Sequence, residues 1–227
     1  MIVEAPYAVK THTDPSDEVV AFAQSVGAGV TDLHRFWTAP RKNQQARYER
    51  ILLATIELAR EGGYDAIQMR DVTSRSGASL ASIYTYFQSR DNLAYRAAVA
   101  WASLMLGRAR KRVDDDLADA TPGERMLARQ EGLIAAICEE PNMLALWVRS
   151  TMTNDPSVVA SQRGVDWSYW NSDPDAPAEA DEARRLYMEL AQDVFYAGAV
   201  RWVFGQEELE HVMGSVRRLR ESISRIA

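Results

Sequence analysis

A chain of 227 residues with a formal net charge of -6 is long enough to bury one or two cores, and its acidic balance taken alone argues against a general nucleic-acid coat. Its single cysteine excludes an intrachain disulfide, no charged-then-apolar leader opens the chain, and charges break every apolar run before the roughly 18 residues a membrane span needs. The expectation is a cytoplasmic protein with no membrane partner.

The charge is unevenly placed. Residues 1–40 carry 2 basic and 5 acidic side chains, residues 41–96 carry 9 and 6, and residues 97–227 carry 15 and 21, so only the middle stretch is net basic. Residues 1–40 form an N-terminal extension, partly flexible. Within it Val19 to Val30 reads either as a loose helix or as an arm, and His34, Phe36 and Trp37 are too apolar for a plain linker. Pro40 punctuates the chain. Arg41, Lys42 and Arg47 then lead into a long helix with Ile51, Leu52, Thr55, Leu58 and Ala59 on one stripe, ended by Gly62-Gly63.

A second, short helix starts at Gln68 to Val72 and stops at Gly77. Ser79 can cap a third helix with its hydroxyl. At 100° per residue Ile83 and Phe87 point to the core with Ile67 and Val72, while Ala81, Tyr84 and Thr85 share the other side. Two helices joined by a short Gly-containing turn, the second with a free face, are the pattern of a helix-turn-helix. Ser89 and Asp91 open a fourth helix whose first turn carries Arg90, a helix N-terminus plus a cation that suits a phosphate. Residues 41–92 are therefore expected to form a DNA-binding domain.

On that free face, Tyr84 is expected to contact DNA, with a half-buried ring as the alternative. Thr85 reads either as a partner for a thymine methyl or phosphate, or as an exposed hydroxyl with no role. Ala81 permits close approach by its small size. Ser79 caps, binds phosphate, or does both. Leu80 lies at the border of the core-facing side, and Tyr86, near the back edge, is read as a phosphate donor. Arg70 is read as a phosphate or base ligand, or else as a solvated cation. The basic run of Arg41, Lys42 and Arg47 has the same two readings.

The run GGYDAIQMRDVTSRSGASLASIYTYFQSRDNL resembles the N-terminal domain of the TetR family of regulators, over about residues 43–95. In that family a Gly-capped first helix, a short second helix, a Ser-capped reading helix with Tyr and a terminal aromatic pair, and a Ser-basic-x-x-Leu entry to the fourth helix occur in this order. The GGYDAIQMR and SIYTYF wording is similar to the KstR type of actinobacterial repressors of cholesterol catabolism. The chain departs from the common pattern at Gln68, Thr73, Ser76, Leu80 and Ala81. The resemblance implies an all-α fold and a repressor that a small apolar effector releases from a palindromic DNA operator, with a sterol-derived acyl-CoA thioester as first candidate.

Residues 93–227 are helical in pattern throughout and are expected to form the effector-binding and dimerisation domain. Leu93, Ala97, Trp101, Leu104 and Met105 make a stripe, and Thr121-Pro122-Gly123-Glu124 reads as a capping box with Pro at the first helical position. Pro141 and Pro156 open further helices, the latter ending near Trp170, ahead of a loop over residues 173–177. Trp101, Met105, Met126, Met143, Trp147, Met152, Trp167, Trp170, Tyr187 and Phe195 suit an adaptable apolar cavity, with plain core as the alternative. Arg149 and Asp193 are candidate polar anchors in it.

Leu186, Leu190, Val194 and Ala197, then Leu209, Val212, Val216, Leu219, Ile223 and Ile226, recur at steps of three and four. The two stripes either pack on each other in one chain or build a homodimer as a four-helix bundle. A pair of chains would also supply two reading helices for a palindrome.

For an enzyme the chemistry is missing. His12, His34 and His211 are far apart, and no phosphate-binding, dinucleotide or nucleophile-elbow motif occurs. The expectation is no catalytic residue, no metal and no cofactor. A helical protein-protein adaptor without DNA binding is the other class the pattern allows.

Overall fold

A computed structural model describes residues 15–28, 44–117, 119–163 and 182–223. The described residues are helical, with no strand among them. In chain order the helices are α1 (Asp17–Ser25), α2 (Gln45–Gly62), α3 (Met69–Ser76), α4 (Leu80–Phe87), α5 (Arg90–Asp116), α6 (Pro122–Cys138), α7 (Pro141–Thr151), α8 (Pro156–Arg163), α9 (Glu182–Val203) and α10 (Leu209–Ile223). The all-α class expected from the periodicity is the class observed. Among the described residues no helix is long and apolar enough to cross a membrane.

The chain packs as two compact units, and their division differs from a split at residue 92. The first unit holds α1 to α4, α5 as far as Arg108, and also α7 and α8; the second holds the rest of α5, α6, α9 and α10. Long-range polar pairs explain why α7 and α8 join the first unit. Arg60 on α2 binds Glu140 at 2.6 Å, and the Asn142 side-chain amide donates to the Arg60 carbonyl at 2.8 Å, which satisfies a carbonyl in the last turn of α2. Ser161 on α8 donates to the fully buried Asn92 at 2.8 Å.

Local chemistry sets the helix ends as the sequence predicts. Thr121 and Glu124 close a reciprocal capping box, with Pro at the start of α6. Ser89 accepts the Asn92 backbone N–H at 3.0 Å and caps α5. The stripe of α2 is buried as expected, with Ile51, Leu52, Thr55 and Ala59 at zero exposure. In α5, residues 93–107 are all buried, alanine at five of those fifteen positions letting neighbouring backbones approach.

In the second unit α9 and α10 lie against each other at Gly198. A β-carbon there would come within 2.8 Å of the Val212 side chain, so this crossing requires glycine. Val212 and Val216 are buried, as one of the two readings of the stripes requires, while Leu186 and Leu190 of α9 remain 53 % and 38 % exposed. Ile226, Trp167, Trp170, the 173–177 loop, His34, Phe36 and Trp37 lie outside the described residues.

Candidate DNA interface

The short helices α3 and α4 make the turn on which the site rests. Gly77 adopts the left-handed conformation (φ 66°, ψ 11°) and donates its N–H to the Thr73 carbonyl at 3.0 Å, closing α3. Ser76 fixes the same turn twice: its hydroxyl donates to the Val72 carbonyl at 2.7 Å and accepts the Ala78 N–H at 3.2 Å. Ser79 then accepts the Ser82 N–H at 3.2 Å, the predicted cap of α4.

Eight residues cannot hold a helix by propensity, so α4 depends on its buried side. Ile83 and Phe87 are buried as predicted. Phe87 stacks on Tyr48 of α2 with ring centroids 5.0 Å apart and planes at 19°, and Tyr86 meets the Tyr48 ring edge-on at 6.0 Å. Such ring pairs add about 0.5–1.5 kcal/mol each beyond the area they bury. The Tyr48 hydroxyl in turn accepts from the Arg96 Nε and Nη2 of α5 at 3.2 and 3.0 Å, so α2, α4 and α5 meet at one ring.

The opposite side of α4 is open. Leu80 and Tyr84 are 46 % and 45 % exposed, and Ala81, Thr85 and Ser79 are exposed beside them. The Thr85 hydroxyl rests on the Ala81 carbonyl at 2.8 Å with its methyl available. Arg70 on α3 is an outward-facing cation nearby, its side chain 86 % exposed and 3.4 Å from Asp71. Arg47 is exposed on α2, whereas Arg41 and Lys42 lie outside the described residues.

Two expectations are corrected by packing. Tyr86 is 5 % exposed and belongs to the aromatic cluster with Tyr48 and Phe87, because α2 presents a ring at that phase of α4. Arg90 is turned to the protein instead of outward: Nη2 donates to the Tyr64 carbonyl at 2.7 Å and the guanidinium lies 4.3 Å above the Tyr64 ring. The Tyr64 hydroxyl donates to Asp91, and burial, reinforced by this carboxylate, pushes its pKa up to about 12. Asp91 also accepts from Thr153 at 3.0 Å. Sequence reasoning missed Tyr64 and Thr153 as parts of this joint; partners 27 and 62 positions apart leave no local signal.

The candidate effector residues divide between the units. In the first, Trp101, Met105 and Met143 are buried and Trp147 is half-buried; in the second, Tyr187 and Phe195 are buried. Met152 is 52 % exposed in the turn after α7, Asp193 is exposed on α9, and Arg149 is half exposed 3.6 Å from Asp65, so none of these three sits as an apolar-cavity residue would. The side chain of Met126, and all of Trp167 and Trp170, lie outside the described residues. A hollow of about 440 Å³ at the α9–α10 turn has polar walls, among them Arg201, Glu207 and His211, and contains no candidate effector residue.

The comparisons agree with this geometry. Residues 51–97, which run from α2 through α3 and α4 into α5, match the model of the bacterial regulatory proteins of the tetR family. The chain carries a stretch similar to the N-terminal domain of that family. The chain is 28 % identical over 166 residues to the HTH-type transcriptional repressor KstR of Rhodococcus jostii (strain RHA1), covering 70 % of this chain and 74 % of that protein. It is 33 % identical over 119 residues to KstR of Mycolicibacterium smegmatis, covering 50 % and 54 % of the two chains. A crystal structure of a TetR transcriptional regulator from Rhodococcus sp. RHA1 shares the fold, with a TM-score of 0.55 at 19 % identity, covering 81 % of this chain and 97 % of that one. The match and the repressor relatives support a DNA-binding transcriptional regulator.

Proposed function

We propose that this chain is a TetR-family regulator that represses transcription as a homodimer, presents two copies of α4 to a palindromic operator and is released by a small apolar effector. The observation that carries the reading is the split of α4: an aromatic cluster grips one side, and Ser79, Leu80, Ala81, Tyr84 and Thr85 stand clear on the other. In the major groove the Leu80 and Thr85 methyl groups meet thymine methyls, Tyr84 offers its hydroxyl to a base edge or phosphate, and Ala81 leaves room for the groove wall. Arg70, Arg47, Arg41 and Lys42 hold phosphates, and Ser79 adds a hydroxyl. Tyr86 and Arg90 serve by positioning α4 and the start of α5.

Dimerisation through α9 and α10 is supported by Leu186 and Leu190, which lie four residues apart on α9 and stay in water within one chain. An effector shifts DNA affinity only by binding one geometry of the pair better than another. α5 contributes to both compact units, Arg90 to Arg108 to one and Ala109 to Asp116 to the other, and is the continuous element through which such a preference passes. The resemblance to the cholesterol-catabolism repressors makes a sterol-derived acyl-CoA thioester the first effector to try, with Trp101, Met105, Met126, Met143, Trp147, Trp167, Trp170, Tyr187 and Phe195 as its candidate contacts.

Selection of genome fragments on the purified protein, repeated with lipids and acyl-CoA thioesters, tests the reading. Enrichment of a palindrome that one compound class releases is the expected result. Failure to retain any duplex at low ionic strength contradicts it.

A further inference from the structure

α1 precedes the stretch that matches the family model and takes no part in the open face of α4, yet it is built into the first unit at both ends. At its start, the Ser16 backbone N–H donates to both carboxylate oxygens of Glu49 on α2, at 3.2 and 3.4 Å. Glu49 has zero exposure, and Gln45 donates to the same carboxylate at 2.7 Å. Ser16 is the N-cap of α1, so this buried acid sits at the positive end of the helix dipole. At the other end Gly27, at φ 75°, turns the chain beside α5, where a β-carbon on it would make ordinary van der Waals contact with Cγ of Arg108 at 3.9 Å. Between these anchors Val19 and Ala23 are completely buried.

One nine-residue helix thus bonds α2 at Glu49 and, through the turn that follows it, lies against the Arg108 side chain of α5. The same two helices meet directly at the Tyr48–Arg96 hydrogen bonds, and Tyr48 is the ring on which Phe87 of α4 stacks. The residue next to the strap's anchor is therefore the residue that supports the reading helix.

We propose that α1 is an intramolecular strap that fixes α2 against α5 and so sets how rigidly α4 is presented; its consequence for DNA binding rests on the function proposed above. A desolvated carboxylate is costly unless its acceptors are met. Lifting α1 withdraws the Ser16 donor from Glu49 and leaves the α2–α5 joint softer. The strap is a device by which residues outside the reading motif tune its affinity.

Hydrogen exchange of the full chain, read by mass spectrometry over residues 17–28, 45–56 and 96–108, tests it with two variants. Val19→Asp forces a carboxylate into a closed position and lifts α1. Glu49→Gln keeps the side-chain shape and removes the charge that holds Ser16. Both are expected to speed exchange over residues 17–28 by about tenfold or more, the scale of one lost charge-assisted hydrogen bond, and to speed the other two segments by roughly threefold or more. Both should also weaken binding to a selected operator duplex several-fold with the overall helix content kept. Faster exchange confined to residues 17–28 overturns the proposal, since α1 would then be a cover that holds nothing. Unchanged protection of residues 17–28 in Val19→Asp overturns it too, as does unaltered operator affinity in variants whose α2 and α5 segments have loosened. If Val19→Asp does not fold, Glu49→Gln decides by the same criteria. A wild-type chain that binds no duplex contradicts the proposed function, while the exchange data still decide the clamp.

Discussion

α4 and α9 each leave large apolar side chains in water, Leu80 and Tyr84 at 46 % and 45 %, Leu186 and Leu190 at 53 % and 38 %, and they differ in everything around them. α4 is eight residues long, capped by Ser79 and held by a cluster of three rings, and its apolar groups are interleaved with hydroxyls, with the exposed cation of Arg70 on the helix before it. α9 is 22 residues long and offers its exposed leucines at a four-residue step. Mixed polar and apolar groups at close spacing suit a groove edged by bases and phosphates. Leucines at helical spacing suit another helix. Exposure alone therefore does not name a partner; the chemistry between the exposed groups does.

That contrast can be broken at several points. Phe87→Ala removes the ring that holds α4 from behind and should cost about 3–5 kcal/mol in chemical denaturation, with operator binding lost because the helix no longer has a platform. The paired change Leu186→Glu with Leu190→Glu should weaken self-association by about a hundredfold or more in analytical ultracentrifugation, since buried like charges would face each other across the pair. Its effect on monomer folding should stay within about 0.5 kcal/mol, as both side chains are solvent-exposed within one chain. If self-association survives, α9 is not the seam.

Smaller effects sharpen the α4 side. Tyr84→Ala should change base preference by about 1–3 kcal/mol at one position of each half-site, read by competition among operator variants, with thermal stability unchanged. Arg70→Ala should weaken all duplexes alike by about tenfold and flatten the salt dependence by about one unit of slope. The Tyr64 hydroxyl gives the mildest signal. Its folded-state pKa is raised to about 12 against an ordinary 10, so the stability it contributes is complete below pH 10 and is lost as pH rises towards 12. Tyr64→Phe should remove that alkaline step from a denaturation series.

What the sequence made legible follows the range of the interaction. Gly77, Ser79 and the Thr121–Glu124 box act on neighbours within three or four residues, and each does what its position predicts. The buried stripe of α2 and the inward side of α4 follow from helical phase, which is also local. Tyr86 and Arg90 were misplaced because a ring on α2 and a carbonyl 26 residues upstream decide their direction. The docking of α7 beside α2 and of α8 beside α5 was invisible for the same reason, since Arg60 and Glu140 are 80 positions apart and Asn92 and Ser161 are 69 apart. Sequence phase also sent Met152 and Asp193 to an interior that their exposure excludes.

The central claim is that the open side of α4 enters the major groove twice per operator. Cys138 is the chain's single cysteine, buried, its thiol pushed up to about 12 by desolvation, so a cysteine placed at Tyr84→Cys would be the reactive one. With an iron chelate tethered there, the account predicts cleavage of the selected operator at two clusters related by its dyad and separated by about one helical turn or a multiple of it. Cleavage spread evenly along the duplex, or no cleavage by a protein that remains bound, would contradict it.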